Sequence, residues 1–519
     1  MKISVMRAFV LLGLAACNAK VSTPLPETLR VQVPSEPTHL NPYLAETGAE
    51  MTILRNLVRT PLRFDHDGAW KAVGDAAESY AWSIDGKELK LVFRSDLRWS
   101  DGAPLTACQY RAGILRMLGK NTGFPSPMSE LYRALPGYKQ AITGNFSEIE
   151  RNLRCNDREL VLTSTAPHDR DLVNALCFVG SAPWRDGLDP EQKVSSGLFR
   201  SLEWKKGRSI KITAVDPQHF LVPTFEFLFI RDPDTALIMY EKGDLDVLTE
   251  LPALLIPQLR SREDFRKASM MATYYVAFAT KNAAWTREPR LRRALALSAG
   301  REEIPSLLQG GERAAYTLTP DDLIPASQLA AFRDARREDP KEAKRLWDEV
   351  AAQNPKLIPD KISLGYPAGS RHQLLMERLA NNWQRRLGVE VSFDPQEWNH
   401  YIDVLKKKAP ALFRYAWTAV YPDPRFFLGI FQSSSLNNFG GWSSPAFDKK
   451  ITSLDRAKID DENFIPEVLE AEDLLVWKEA ALIPLYHYAK VFMARGEVGR
   501  KLKFTYNGFL DITSLIKQE

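Results

Sequence analysis

ELKLVFR, residues 88–94, sets Leu89, Leu91 and Phe93 on one side of an extended chain and Lys90, Val92 and Arg94 on the other, directly after an Asp85-Gly86 turn. Alternation at period two, entered through a tight turn, marks a half-buried β-strand. Residues 28–33, 210–215 and 225–230 read the same way. Elsewhere the period becomes helical, at Leu291, Ala294, Leu295 and Ser298, at Leu374, Leu375, Leu379 and Trp383, and at Val468, Ala471, Leu474 and Leu475. Strands and helices alternate along the chain, which predicts an α/β architecture. No unit of 20 to 50 residues recurs, so a solenoid or propeller is excluded.

With 519 residues the chain exceeds what one hydrophobic core serves, and two to four lobes are expected. Turn-rich 190–197, the stretch near Ala272 and the extended piece 483–488 are the candidate boundaries. An apolar content of 45% against 26% charged residues is that of a globular protein. The net charge of +4 is a small difference between 69 basic and 65 acidic residues and argues against a nucleic-acid partner, which calls for Lys and Arg gathered on one face. The short run Lys406, Lys407 and Lys408 reads as a solvated loop.

The N-terminus fixes an expected location. Lys2 and Arg7 precede a brief apolar run, and Leu14, Ala15, Ala16 and Cys17 close it as a lipoprotein-type cleavage site does. The run is shorter than the roughly 20 residues that cross a bilayer. Residues 1–17 are therefore read as a processed signal, Cys17 as the lipidated residue, and 18–27, interrupted by two prolines, as a tether holding the protein to the membrane. Apart from Cys17 there are three cysteines, Cys108, Cys155 and Cys177. Cys155 with Cys177 is the pair considered for a disulfide, with burial as small apolar side chains the equal alternative. No CxxC spacing suggests a metal.

Signals for catalysis are missing. His39, His66, His168, His219, His372, His400 and His487 are scattered, with no pair at the i, i+4 spacing that sets two ligands on one helical face. Neither a nucleophile elbow, a Walker A loop nor a dinucleotide-binding fingerprint occurs. No enzymatic activity, cofactor or metal is expected.

Several short segments, in order, carry a resemblance. They are 36–42 (EPTHLNP), 98–107 (RWSDGAPLTA), 194–200 (VSSGLFR), 241–247 (EKGDLDV), 287–304 (REPRLRRALALSAGREEI), 417–424, 443–449 (SSPAFDK) and 481–486 (ALIPLY). Together they resemble the dipeptide- and oligopeptide-binding proteins, family 5 of the bacterial extracytoplasmic solute-binding proteins, from about Leu29 to the C-terminus. The resemblance implies a two-lobed α/β periplasmic binding protein (type II, cluster C) with an extra subdomain and a hinge. It places lobe I at 28–62, 190–272 and 488–519, the extra subdomain at 63–189 and lobe II at 273–487, with hinge crossings near Ala272 and His487. With the N-terminal signal it implies a membrane-anchored lipoprotein on the periplasmic side of the cell envelope, a monomer by default, which captures an oligopeptide or other small solute between its lobes and passes it to ABC permease subunits in the inner membrane. The alternative is a non-transport envelope lipoprotein or sensor that keeps the fold. Asn18 lacks the aspartate that, by resemblance, marks inner-membrane retention.

In such proteins the ligand main chain adds to the protein as a strand. By the same resemblance Ala416, Trp417 and Thr418 form the segment that pairs with it, Tyr274, Trp398 and Trp417 line the pocket, Arg414 meets a ligand carboxylate, Tyr421 closes the W-x-x-x-Y motif, and Glu46 is the acidic residue near the ligand. Relatives carry an aspartate that pairs with the peptide amine where this chain has Val420. Either Asp423 or Glu46 then takes the amine, or the ligand has no free α-amine. Some relatives also bear a disulfide across the hinge where Ala272 and Thr418 stand here.

Overall fold

The computed structural model describes residues 26–65, 70–123, 125–126, 128–188, 193–457 and 461–517. Cys17, His66 and most of the tether lie outside them. The chain is mixed α/β and two-lobed, organised on one long sheet whose eleven strands are numbered here in chain order. They are β1 Thr28–Val33, β2 Phe199–Lys205, β3 Ser209–Ala214, β4 Thr224–Phe229, β5 Val247–Leu248, β6 Phe265–Phe278, β7 Arg313–Ala314, β8 Lys361–Pro367, β9 Glu390–Gln396, β10 Leu412–Thr418 and β11 Leu482–Ala494. Their spatial order is β9-β8-β10-β6-β11-β5-β1-β4-β3-β2, with β7 added against β11. The strands read at 28–33, 210–215 and 225–230 thus appear as β1, β3 and β4, within one residue at each end.

Two strands run through both lobes. β6 and β11 are antiparallel along most of their length, but their pairing breaks between Ser269 and Thr273, where three residues of β6 face one of β11. Extra residues on one strand bend it and increase its twist. The break separates the packing on its two sides. Leu29, Val31, Phe199, Phe225, Phe227 and Phe492 belong to one apolar core, while Val276, Leu291, Leu364, Trp383 and Leu485 belong to another. At the bend itself His487, fully buried, lies with Nδ1 2.9 Å from the Thr273 hydroxyl and Nε2 3.2 Å from Asp321.

Local chemistry accounts for the elements around the sheet. In the 98–107 stretch Gly102, at φ 87°, turns the chain so that its N–H reaches the Trp99 carbonyl, and Thr106 then opens the helix Ala107–Met117 through a capping box with Gln109. In the 241–247 stretch Gly243, at φ 81°, ends the helix Pro233–Lys242 in the left-handed region that side-chain-bearing residues avoid. The helices read from apolar spacing occur as Pro289–Leu297, Ser370–Leu387 and Phe464–Glu472; the last continues as a π-turn over Asp473–Lys478, which holds Leu474 and Leu475.

ELKLVFR forms the strand Glu88–Phe93 in a separate four-stranded antiparallel sheet with Ala77–Trp82, Glu159–Thr163 and Leu153–Cys155. The disulfide here corrects the pairing considered from sequence: Cys155 is bonded to Cys108, and Cys177 is free. Strand Leu153–Cys155, paired to Glu159–Thr163, delivers Cys155 to the first turn of helix Ala107–Met117, with 5.3 Å between the two Cα atoms. Cys177 instead follows the helix Arg170–Ala175, where its Sγ donates to the Val173 carbonyl and burial pushes the thiol well up.

Candidate ligand cleft

β10 pairs with β6 along its whole length, from Leu412 opposite Phe278 to Thr418 opposite Ala272. On its other side β8 covers only Leu412 and Phe413. Successive residues of a strand direct their main-chain groups to opposite edges. Ala279 N–H donates to Ala411 O and Ala419 N–H to Met271 O, so the odd-numbered residues bond toward β6, while Arg414 O turns outward to accept the Tyr401 hydroxyl at 2.6 Å. The N–H and C=O groups of Ala416 and Thr418 therefore face outward on an edge that no strand of the described residues covers. Such an edge can accept an added strand.

The 412–414 end of this edge is cationic and aromatic. Arg414 is 5% exposed; one of its terminal nitrogens donates to the Tyr488 hydroxyl at 3.0 Å and its guanidinium carbon stands 4.2 Å from the Tyr274 ring centroid. Tyr274 stacks on Tyr486 at 4.8 Å, and its hydroxyl is 3.0 Å from Nδ1 of His372. Arg371, beside His372, pairs with the buried Glu312. Burial and the charges of Arg414 and Arg371 push His372 down to about 4, so at neutral pH its imidazole is neutral. Among the described residues, Arg414 Nε is buried with no hydrogen-bond partner.

The other end is bounded by an ionic contact between the extra subdomain and the loop after β10. Asp423, 1% exposed, lies 2.7 Å from Arg170 and 2.7 Å from Arg425, and caps the helix Pro424–Leu428. Burial alone would raise its carboxyl, but the two guanidinium groups bring it down to about 2. Asp423 is thus already doubly paired, which leaves it unsuited to a ligand ammonium. The Tyr421 hydroxyl donates to Asp171 at 3.1 Å, which also joins the loop to the subdomain.

Of the residues singled out from sequence, Tyr274, Arg414, Ala416, Trp417 and Thr418 share β6 and β10, with Tyr421 three residues beyond. Trp417 packs on Phe426 at 5.5 Å and donates Nε1–H to that residue's carbonyl, so one face of the indole is committed to packing. Trp398, 48% exposed, opens the helix Trp398–Lys408. Glu46 is exposed in the turn before the helix Gly48–Leu57, where the buried carboxylate is Glu50, bonded to Thr38 and to the Glu46 and Thr47 N–H groups. Sequence reading missed Arg371, His372, Glu312 and Tyr488. Tyr486 ended a quoted motif and Arg371 and His372 lie on a helix read from its spacing, but nothing in a linear sequence shows that these elements meet at Tyr274.

A model of the bacterial extracellular solute-binding proteins, family 5 Middle, matches residues 71–439. The periplasmic oligopeptide-binding protein OppA of Salmonella typhimurium is 25% identical over 96% of this chain and 95% of its own length, and the oligopeptide-binding protein OppA of Bacillus subtilis 25% over 90% and 88%. Among solved structures, the murein tripeptide binding protein MppA in its unliganded open form aligns with TM-score 0.79 at 21% identity over 96% of this chain and 98% of that one. Haemophilus influenzae OppA in complex with RPPGFSPFR aligns with TM-score 0.67 at 23% identity over 94% and 97%. The match over most of the chain and the two-lobed fold agree, and the chain belongs to family 5 of the bacterial extracellular solute-binding proteins.

Proposed function

We propose that the chain is an extracytoplasmic receptor that captures peptides or peptide-like solutes between its lobes and delivers them to an ABC importer. The observation that carries this reading is the uncovered edge of β10, with Ala416 and Thr418 facing outward. A main-chain edge suits peptides because every peptide offers the same N–H and C=O groups, whatever its side chains. The cationic end at Arg414, with the imidazole of His372 beside it, suits a terminal carboxylate, and Trp398, Trp417 and Tyr421 offer aromatic surface along the ligand, whereas Tyr274, expected from sequence to line the pocket, is fully buried and supports Arg414 from behind. Relatives named for oligopeptides, dipeptides and a murein peptide support the same class of ligand, and two of the similar solved structures are named as parts of oligopeptide ABC transporters. The non-transport alternative calls for a cleft filled by its own side chains, and the open edge favours transport.

The lobes are placed at 28–62 with 190–272 and 488–519, and at 273–487, with 63–189 as the extra subdomain; the break in β6 and β11 pairing near Ala272 and His487 supports a hinge there. Relatives named as periplasmic support a periplasmic location, and the sequence up to Cys17 supports a lipid anchor at the membrane. Native mass spectrometry of the soluble chain starting after Cys17 tests the reading. A family of co-purified peptides, one per protein, is the expected result; an empty protein that also ignores a peptide library contradicts it.

A further inference from the structure

Past the end of β10 the chain runs through Ala419 to Val420 and Tyr421, which form part of the wall of a cavity of about 560 Å³, within the usual range of ligand pockets. The remaining wall comes from the helix Gly48–Leu57, the segment that follows it, the extra subdomain and the C-terminal segment. Each acidic residue of the lining is engaged. Asp75 is paired with Arg59 at 3.0 Å, Asp65 accepts the Lys71 N–H, and Asp511 accepts the N–H and hydroxyl of Thr513. The cations are not matched in the same way. Arg55, half-buried, and Arg63 and Lys503, exposed at its mouth, line the cavity from three separate segments; among the described residues their side chains form no hydrogen bond or ion pair, and only Arg63 feels a lining carboxylate, that of Asp75. Glu46 does not reach this wall.

The cavity therefore continues the open edge of β10 at the end opposite Arg414. A ligand whose carboxylate sits at Arg414 and whose main chain pairs at Ala416 and Thr418 brings its amino end toward Val420, since two further residues of extended chain cover about 7 Å. A free ammonium there meets the Val420 methyl groups and unpaired positive charges, with Asp423 already held by Arg170 and Arg425. Burying an ammonium beside like charges is unfavourable, whereas an anion placed there gains charge-assisted hydrogen bonds. We propose that this cavity receives an anionic acyl group carried on the amino end of the bound peptide, with Arg55, Arg63 and Lys503 as its partners. The assignment rests on the peptide reading above and narrows it to amino-blocked, doubly anionic chains.

Calorimetric titration of the soluble chain with one tripeptide in three forms, free-amine, N-acetyl and N-succinyl, tests this. The N-succinyl form is expected to bind at least tenfold tighter than the N-acetyl form, and the N-acetyl form tighter than the free amine. Arg55→Ala with Lys503→Ala is expected to remove the preference for succinyl over acetyl, and Val420→Asp to turn the order toward the free amine. Free-amine binding equal to or tighter than N-succinyl binding, or a double variant that keeps the succinyl preference, overturns the cavity assignment while leaving peptide binding intact. Failure of all three forms to bind the native protein removes the peptide reading and this assignment with it.

Discussion

Glu472 has no exposed surface, and its two carboxyl oxygens accept the N–H groups of Leu318 and Thr319 at 2.7 Å each. Leu318 in turn accepts the hydroxyl of Thr273 at the bend in β6, so a buried acid holds the segment that braces this bend. Burial raises the carboxyl from 4.5 to about 7, against the opposing pull of those hydrogen bonds. A folded-state value above the unfolded one means that the stabilising contribution is complete below pH 4.5 and is lost as pH rises toward 7. Relative to Glu472→Gln, the wild-type protein is expected to lose about 3 kcal/mol across that window. Denaturant melts of both proteins at intervals through it check this, and parallel pH profiles contradict it. None of this was readable in the sequence, where Glu472 was one acid among many; its partners lie about 150 residues away in the chain and meet it only through folding.

At the scale of elements, the register of β6 and β10 sets Ala272 directly opposite Thr418. Their main-chain groups form a non-hydrogen-bonded pair, the closer of the two antiparallel arrangements, with Cα atoms about 4.5 Å apart and side chains on the same face. That spacing admits a disulfide. Ala272→Cys with Thr418→Cys is expected to oxidise spontaneously, seen as loss of two free thiols in the denatured protein, and to keep the native circular dichroism spectrum; two thiols persisting under air contradict the register. Strands and amphipathic helices were legible because alternation at period two and spacing at 3.6 are local properties, as ELKLVFR and the helix Ser370–Leu387 show. The Cys155 partner was not legible: three cysteines in a row of sequence say nothing of which helix turn faces which strand end, and the packing of Ala107–Met117 over the small sheet chose Cys108.

Across the whole molecule, the helix Arg170–Ala175 meets the loop after β10 and the helix Phe464–Glu472 through Arg170, which lies over the Phe464 ring at 4.9 Å and against Asp423 at 2.7 Å. Arg170→Met keeps much of the apolar contact and removes the charge, and is expected to lower stability by about 3 kcal/mol, the lower end for removing one partner of a buried ion pair. An unchanged denaturant midpoint contradicts a stabilising role for this contact. The two-lobed plan followed from ordered family motifs, yet the ionic contact, the cluster at Tyr274 and the Arg55 cavity join segments far apart in the chain and emerged only from the fold. The central claim is that the ligand adds as a strand to β10, and residue-resolved amide hydrogen exchange of the soluble chain with and without a bound peptide tests it most directly. Ala416 and Thr418 should exchange quickly in the free protein and slowly in the complex, while Tyr415 and Trp417, already bonded to β6, stay protected in both; a saturating peptide that leaves Ala416 and Thr418 as fast as before contradicts it.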